Sequence, residues 1–209
     1  MIVNFIGDLH GHYSWYNKFI RQLPDNEYSF QVGDFGFSYN SITCFPAHKH
    51  VMLPGNHDNY DIIKWCNNAL KLYGLWNTIF YVRGAWSIDR KYRTQSIDWW
   101  SEEELDIDTL NSAIDYYKKI KPEYMVTHEA PLSLVDQLVD PSFAKDFGYS
   151  EATVKTKTNQ ALQTMLEIHR PKIWIFGHYH VARRIQVENT QFICLDMVPR
   201  DGSVLRLEI

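Results

Sequence analysis

Five short clusters of metal-ligating residues follow apolar runs in this chain: Gly7-Asp8-Leu9-His10-Gly11-His12, Gly33-Asp34-Phe35-Gly36, Gly55-Asn56-His57-Asp58, Thr127-His128-Glu129 and Gly177-His178-Tyr179-His180. Six of the nine histidines lie in them, and no cysteine does. Carboxylate, imidazole and amide oxygen donors suit Mn, Fe or Zn. Two such ions, about 3.5 to 4 Å apart, can clamp both the attacking and the leaving oxygen of a phosphoryl displacement. That chemistry needs a bridging carboxylate, and Asp34, two residues after Val32, is the natural one. Water held there has its pKa lowered towards neutrality and is the expected nucleophile. His57 is left free to act as general acid on the leaving oxygen, or to stabilise charge on the phosphate. Asp8 and His10, like His178 and His180, are two residues apart, which predicts that each pair shares one side of an extended chain.

These clusters need a frame that brings distant strand ends together. Short apolar runs alternate with amphipathic segments, the pattern of an α/β protein, and in an open sheet the loops past the carboxyl ends of the strands converge on one crevice. Strands are predicted over 1–6, 28–32, 51–53, 79–82, 85–88, 124–127, 173–176, 181–187, 192–195 and 204–207. A helix carrying Trp15, Phe19, Ile20 and Leu23 ends at Pro24. A second follows Asn59, where Ile62, Trp65, Cys66, Ala69, Leu70 and Tyr73 share a stripe that stops near Gly74. Ser101 and Glu104 fit a capping box, but Leu110, Ala113, Ile114 and Tyr117 make a better stripe, placing the third helix after Asp108. Ser150 is a candidate cap for a fourth, with Leu162, Met165, Leu166 and His169 on one side and Pro171 at its end.

A length of 209 residues predicts one domain over 1–209, with a peripheral elaboration around 84–121. Apolar residues at 45% and charged residues at 22% provide for a sizeable core and argue against disorder. The net charge of −4 gives no general attraction for nucleic acid or an anionic membrane. Three cysteines without a Cys-x-x-Cys pair indicate neither a disulfide framework nor a thiolate zinc site, and a reducing cytoplasm is the expected setting. The apolar start ends in charge after about six residues and reads as a strand rather than a signal peptide, and no run approaches the roughly 20 apolar residues of a membrane span. Trp76, Phe80, Tyr81, Trp86, Tyr92, Trp99 and Trp100 are expected in the core rather than as a base-stacking platform. His48, His50 and His169 are expected to be structural or solvent-facing.

The ordered set Asp-x-His, Gly-Asp, Gly-Asn-His-Asp, His and Gly-His-x-His, spanning positions 8 to 180, resembles the calcineurin-like metallophosphoesterase superfamily. The resemblance implies a four-layer αββα sandwich of two mixed β-sheets flanked by helices, and two divalent ions, Mn foremost with Fe, Zn or Ni as alternatives. Carried over, Asp8, His10 and His180 would bind one ion, Asn56, His128 and His178 the other, and Asp34 both; His57 would be the catalytic histidine. Gly84 to Asp89, a Gly-Ala-x-Ser-x-Asp stretch, is similar to the small stand-alone phosphoesterases of bacteria and their phages.

The second motif departs from the phosphoprotein phosphatase and diadenosine-tetraphosphatase branches, which continue Gly-Asp-x-Val-Asp-Arg-Gly. Here it reads Gly33-Asp34-Phe35-Gly36-Phe37-Ser38, without that acid or arginine. Another cation must serve the phosphate, and Arg83 and Arg93 are the candidates carried forward, with His12 as a further substrate contact. The expected activity is hydrolysis of a phosphodiester or phosphomonoester of a small molecule or nucleotide. The alternatives are a non-catalytic protein-interaction scaffold of the same fold and a phosphoprotein or dinucleoside-polyphosphate phosphatase.

Overall fold

A computed structural model describes residues 1–140, 142–149 and 154–209. Two mixed sheets stack face to face. The first has the order β10-β1-β2-β3, built from β1 (Ile2–Ile6), β2 (Glu27–Gln31), β3 (His50–Met52) and β10 (Val204–Glu208). β1, β2 and β3 are parallel, and β10 runs antiparallel on the outside of β1. The second has the order β4-β5-β6-β7-β9-β8, from β4 (Tyr73–Trp76), β5 (Ile79–Val82), β6 (Tyr124–Thr127), β7 (Ile173–Phe176), β8 (Arg183–Val187) and β9 (Thr190–Cys194). Its central four strands are parallel, and β4 and β8 close the edges in antiparallel register.

Strand alternation builds the layers. Val3, Phe5, Phe30 and Val51 of the first sheet meet Ile79, Tyr81, Val126, Ile175 and Ile193 of the second in one buried cluster. The intervening residues Phe80, Met125, Trp174, Phe176 and Phe192 point the other way. There they receive Leu110, Ala113 and Tyr117 of α4 (Ile107–Ile120) and Leu162, Met165 and Leu166 of α6 (Lys157–Ile168). The far face of the first sheet, with Ile6 and Met52, packs on Tyr16 and Ile20 of α1 (Tyr13–Gln22) and on the short helices α2 (Asn40–Thr43) and α3 (Tyr60–Ile63). The result is the αββα sandwich. No described helix is long and apolar enough to cross a membrane.

The helix expected after Asn59 is corrected to a single turn. Asn59 caps α3 through its side chain. The chain then leaves the helix because Asn68 Nδ2 donates to the Phe45 and His50 carbonyls, while Met52 and residues 68–70 exchange backbone hydrogen bonds in parallel-bridge fashion. Trp65, counted into the stripe, is 78% exposed, and Tyr73 belongs to β4. The strand predicted at 85–88 is irregular, since Ala85 and Ser87 donate to the backbone and side chain of Glu103 instead of to a neighbouring strand. Helix α4 starts earlier than expected, capped by Asp106 on the Thr109 N–H. Glu104 forms no capping box with Ser101; it accepts from Thr158 N and pairs with Lys157. The Ser150 cap lies outside the described residues; α6 is capped by Thr156 in a reciprocal box with Asn159. His50 is buried against Ser29, and His169 bonds the Pro122 carbonyl. Of the aromatic group, Trp76, Phe80, Tyr81 and Trp100 are buried, whereas Tyr92 is exposed and Trp86 half-buried.

Candidate active site

Asp8, Asp34, Asn56, His128, His178 and His180 all stand just past the carboxyl ends of β1, β2, β3, β6 and β7, and their polar atoms meet. Asp8 Oδ2 lies 3.1 Å from His180 Nε2 and 3.9 Å from His10 Nε2. The two imidazole Nε2 atoms are 2.9 Å apart. Asp34 sends Oδ2 to within 3.6 Å of His10 Nε2 and Oδ1 to 3.1 Å from His128 Nε2. Asn56 Oδ1 is 3.0 Å from both His128 Nε2 and His178 Nδ1. Donor atoms of Asp8, His10, Asp34 and His180 lie within 4.8 Å of one another, compact enough to hold a metal ion. On the side of Asp34 Oδ1, which also accepts the His57 backbone N–H, stands His128, which meets His178 at Asn56 Oδ1.

Contrary to expectation, the Asp8–His10 and His178–His180 pairs do not share one side of an extended strand: His10, Asp34, His178 and His180 all have left-handed backbones, with φ of 43°, 57°, 68° and 50°. Such values are uncommon for non-glycine residues and gather at functional sites, where the surrounding structure holds them. Two glycines make room for the donors. A Cβ on Gly177 would sit 2.0 Å from Asp8 Oδ1, and one on Gly55 would sit 2.3 Å from Asp34 Oδ1.

Burial and mutual charge set the protonation. Burial disfavours the charged form of His128, but the Asp34 carboxylate beside it prevails and lifts its pKa to about 10. Burial likewise works against ionised Asp34, yet His128, His57 and His10 together hold its pKa well below the ordinary value. Burial, reinforced by His128, pushes His178 down to about 3, so that ring is neutral and ready to donate a lone pair. A divalent cation would replace the proton that His128 shares with Asp34. The Asp58 carboxyl, raised to about 7 by burial, accepts from Gly36 N, Gly55 N and the Tyr39 hydroxyl and ties two site loops together.

The sequence profile of the calcineurin-like phosphoesterase family matches residues 1–182. The chain belongs to that family. No curated protein matches it in sequence. Among solved structures, it is similar to phosphopantetheinyl hydrolase from Mycobacterium tuberculosis, at 12% identity and a TM-score of 0.60 over 98% of this chain and 95% of that one. A Staphylococcus aureus protein assigned as a 5′-nucleotidase and solved with α-ketoglutarate gives 15% identity and a TM-score of 0.54, over 94% of this chain and 48% of that one. Both likenesses concern the fold.

Of the groups that hold the site residues in place, the sequence had pointed only to Arg93, and as a phosphate contact. Asn56 Nδ2 donates to Ser87 Oγ at 3.0 Å, which turns Oδ1 towards His128 and His178. Ser87 in turn donates both its Oγ–H and its N–H to Glu103, at 2.8 and 3.0 Å. Arg93 Nη2 lies 2.8 and 2.6 Å from Nδ1 and Nε2 of His57 and 2.7 Å from Asp89 Oδ2. Only one ring nitrogen of a neutral imidazole accepts a proton, so with Arg93 on that one the other carries the N–H. Burial, opposed by Asp34 and aided by Arg93, keeps His57 below its ordinary pKa. Glu103 had no signal in the sequence, and the Asp89–Arg93 pair, though local, meets His57 only in the folded chain.

The remaining predicted contacts stand apart. His12 is exposed at the N-cap of α1 and makes no capping bond with its side chain. The Arg83 guanidinium lies 4.7 Å from the Tyr60 ring centre. Neither lines the cavity of about 560 Å³ that opens beside Asp34, Asn56, His57, His178 and His180.

Proposed function

We propose that this chain is a binuclear metal-dependent phosphoesterase that hydrolyses a phosphodiester or phosphomonoester of a small molecule. The observation that carries the reading is Asp34, which stands between two donor groups: Oδ2 lies towards His10 in the cluster with Asp8 and His180, and Oδ1 towards His128, which meets His178 at Asn56 Oδ1. All seven supply nitrogen or oxygen and none supplies sulfur, which fits Mn, with Fe, Zn or Ni as alternatives. When bound, such ions supply Lewis-acid charge at the phosphoryl oxygens and lower the pKa of water. The chain's own residues do the rest. Asp34 and His128 position and neutralise, Asp8 fixes the 177–180 turn by accepting the His178 N–H, and His57 presents its remaining N–H to the leaving oxygen. The full donor set disfavours a scaffold that has lost catalysis. The absent acid and arginine after Asp34 disfavour a phosphoprotein phosphatase. The whole of 1–209 is proposed to act as one catalytic unit.

The test is hydrolysis of p-nitrophenyl phosphate and bis-p-nitrophenyl phosphate by metal-stripped protein reloaded with Mn²⁺, with metal content measured in parallel. Mn-dependent cleavage of either ester, lost together with metal in Asp34→Asn, is the expected result. Full activity and two bound ions in Asp34→Asn would refute the bridging role.

A further inference from the structure

The cavity beside the donor cluster has two unlike halves. One is the polar set just described; the other is apolar, with Trp86, Ile88, Leu138, Val139, Phe143 and Phe147 in its wall. The apolar half is assembled from two segments distant in sequence. The loop before α4 provides Trp86 and Ile88, and the chain around α5 (Phe143–Asp146) provides Phe143 and Phe147. Those segments hold one another: Lys91 Nζ donates to the Phe147 carbonyl, and the Trp86 and Tyr149 rings meet edge to face at 5.4 Å. Phe143 is 43% exposed although it lines the cavity, so part of its ring is uncovered.

Charge narrows the occupant. Among the described residues, the wall holds Asp89, Glu129 and Asp140 but no lysine or arginine. Asp89 is already held by Arg93 and Glu129 by the Thr156 hydroxyl. With no lysine or arginine among the described residues of the wall, a second phosphate, a polyphosphate chain or a phosphoprotein's acidic flank would find no cation to pair with there. An uncharged ring or bulky aliphatic group would instead bury apolar surface against apolar surface.

Resting on the phosphoesterase reading, we propose that this chamber selects the substrate: a small phosphoester whose organic part is uncharged and aromatic or bulky and aliphatic. The phosphoryl group lies at the Asp34 cluster and the organic part in the Trp86, Leu138 and Phe143 wall. The chamber thereby discriminates among esters by the size and apolarity of that group.

The experiment uses Mn-loaded full-length protein and p-nitrophenyl phosphodiesters whose second ester group is methyl, phenyl or 1-naphthyl. Calorimetric binding of methylphosphonate and 1-naphthylphosphonate is measured beside it. The expected kcat/KM rises from methyl to naphthyl by about 10-fold or more, the scale on which an apolar pocket separates substrates. Naphthylphosphonate is expected to bind correspondingly tighter, with a more negative heat-capacity change. Phe143→Asp, near the exposed rim, and Ala144→Phe, which fills the chamber, are each expected to reduce the naphthyl-to-methyl ratio several-fold. Equal kcat/KM and equal binding across the wild-type series would overturn the proposal even if neither variant folds. An unchanged ratio in both folded variants would overturn it as well. No turnover of any ester with metal bound would refute the phosphoesterase reading alone, because the phosphonate comparison still decides the chamber.

Discussion

Replacing Glu103 with glutamine tests whether a buried carboxyl beneath the site is neutral in the folded protein. The side chain is 2% exposed, and burial, only partly offset by its hydrogen bonds from Ser87, raises its pKa from the ordinary 4.5 to about 7. The folded state therefore keeps a proton that the unfolded chain gives up near pH 4.5. Stability from this group is fully present below that pH and is lost as the pH rises through about 7. A difference of roughly 2.5 pKa units corresponds to about 3 kcal/mol at pH 8. Glutamine reproduces the neutral carboxyl, still accepting from Ser87 N, and does not titrate. For a chain of this length each kcal/mol moves Tm by about 2 to 4 °C, so the Tm of Glu103→Gln minus that of wild type should grow by roughly 8 °C between pH 5 and pH 8. The assay is thermal unfolding of both metal-stripped proteins followed by circular dichroism across that range. Parallel Tm curves would refute the reasoning, since the carboxylate would then be ionised in the folded state.

Three further substitutions probe the site. His57→Ala should leave metal content unchanged and lower kcat by about 10² or more; loss of metal, read by elemental analysis, would make His57 a ligand instead. Gly177→Ala places a Cβ 2.0 Å from Asp8 Oδ1 and should displace that carboxylate, so calorimetric titration with Mn²⁺ should show one site weakened at least about tenfold; wild-type affinity at both sites would contradict the close approach. Arg93→Ala removes the group that straddles the His57 ring nitrogens and should lower kcat about tenfold or more with little change in KM. A rise in KM alone would instead mark Arg93 as a phosphate clamp.

The sequence by itself determined the donor types, the family they resemble and most of the strands behind them, because each motif is local: an apolar run followed by a few polar residues, usually after a glycine. Strands such as β1, β6 and β7 were legible for the same reason, since a short, almost wholly buried apolar run and a turn signal lie within a few neighbouring residues. The 60–73 segment was misread because its helical stripe is also local, whereas the hydrogen bonds that pull it into the edge of the first sheet come from Phe45, His50 and Met52. The sequence named Arg93 as a candidate cation but did not place it against His57. Nor did it show that Ser87 and Glu103 orient Asn56, or that Trp86 and Phe143 face one cavity. Those are contacts between side chains brought together from across the chain by sheet stacking, and pairwise geometry of that kind leaves no periodic trace in the order of residues. The left-handed turns at His10, Asp34, His178 and His180 were hidden likewise, because such conformations persist in non-glycine residues only where packing around them offsets the strain.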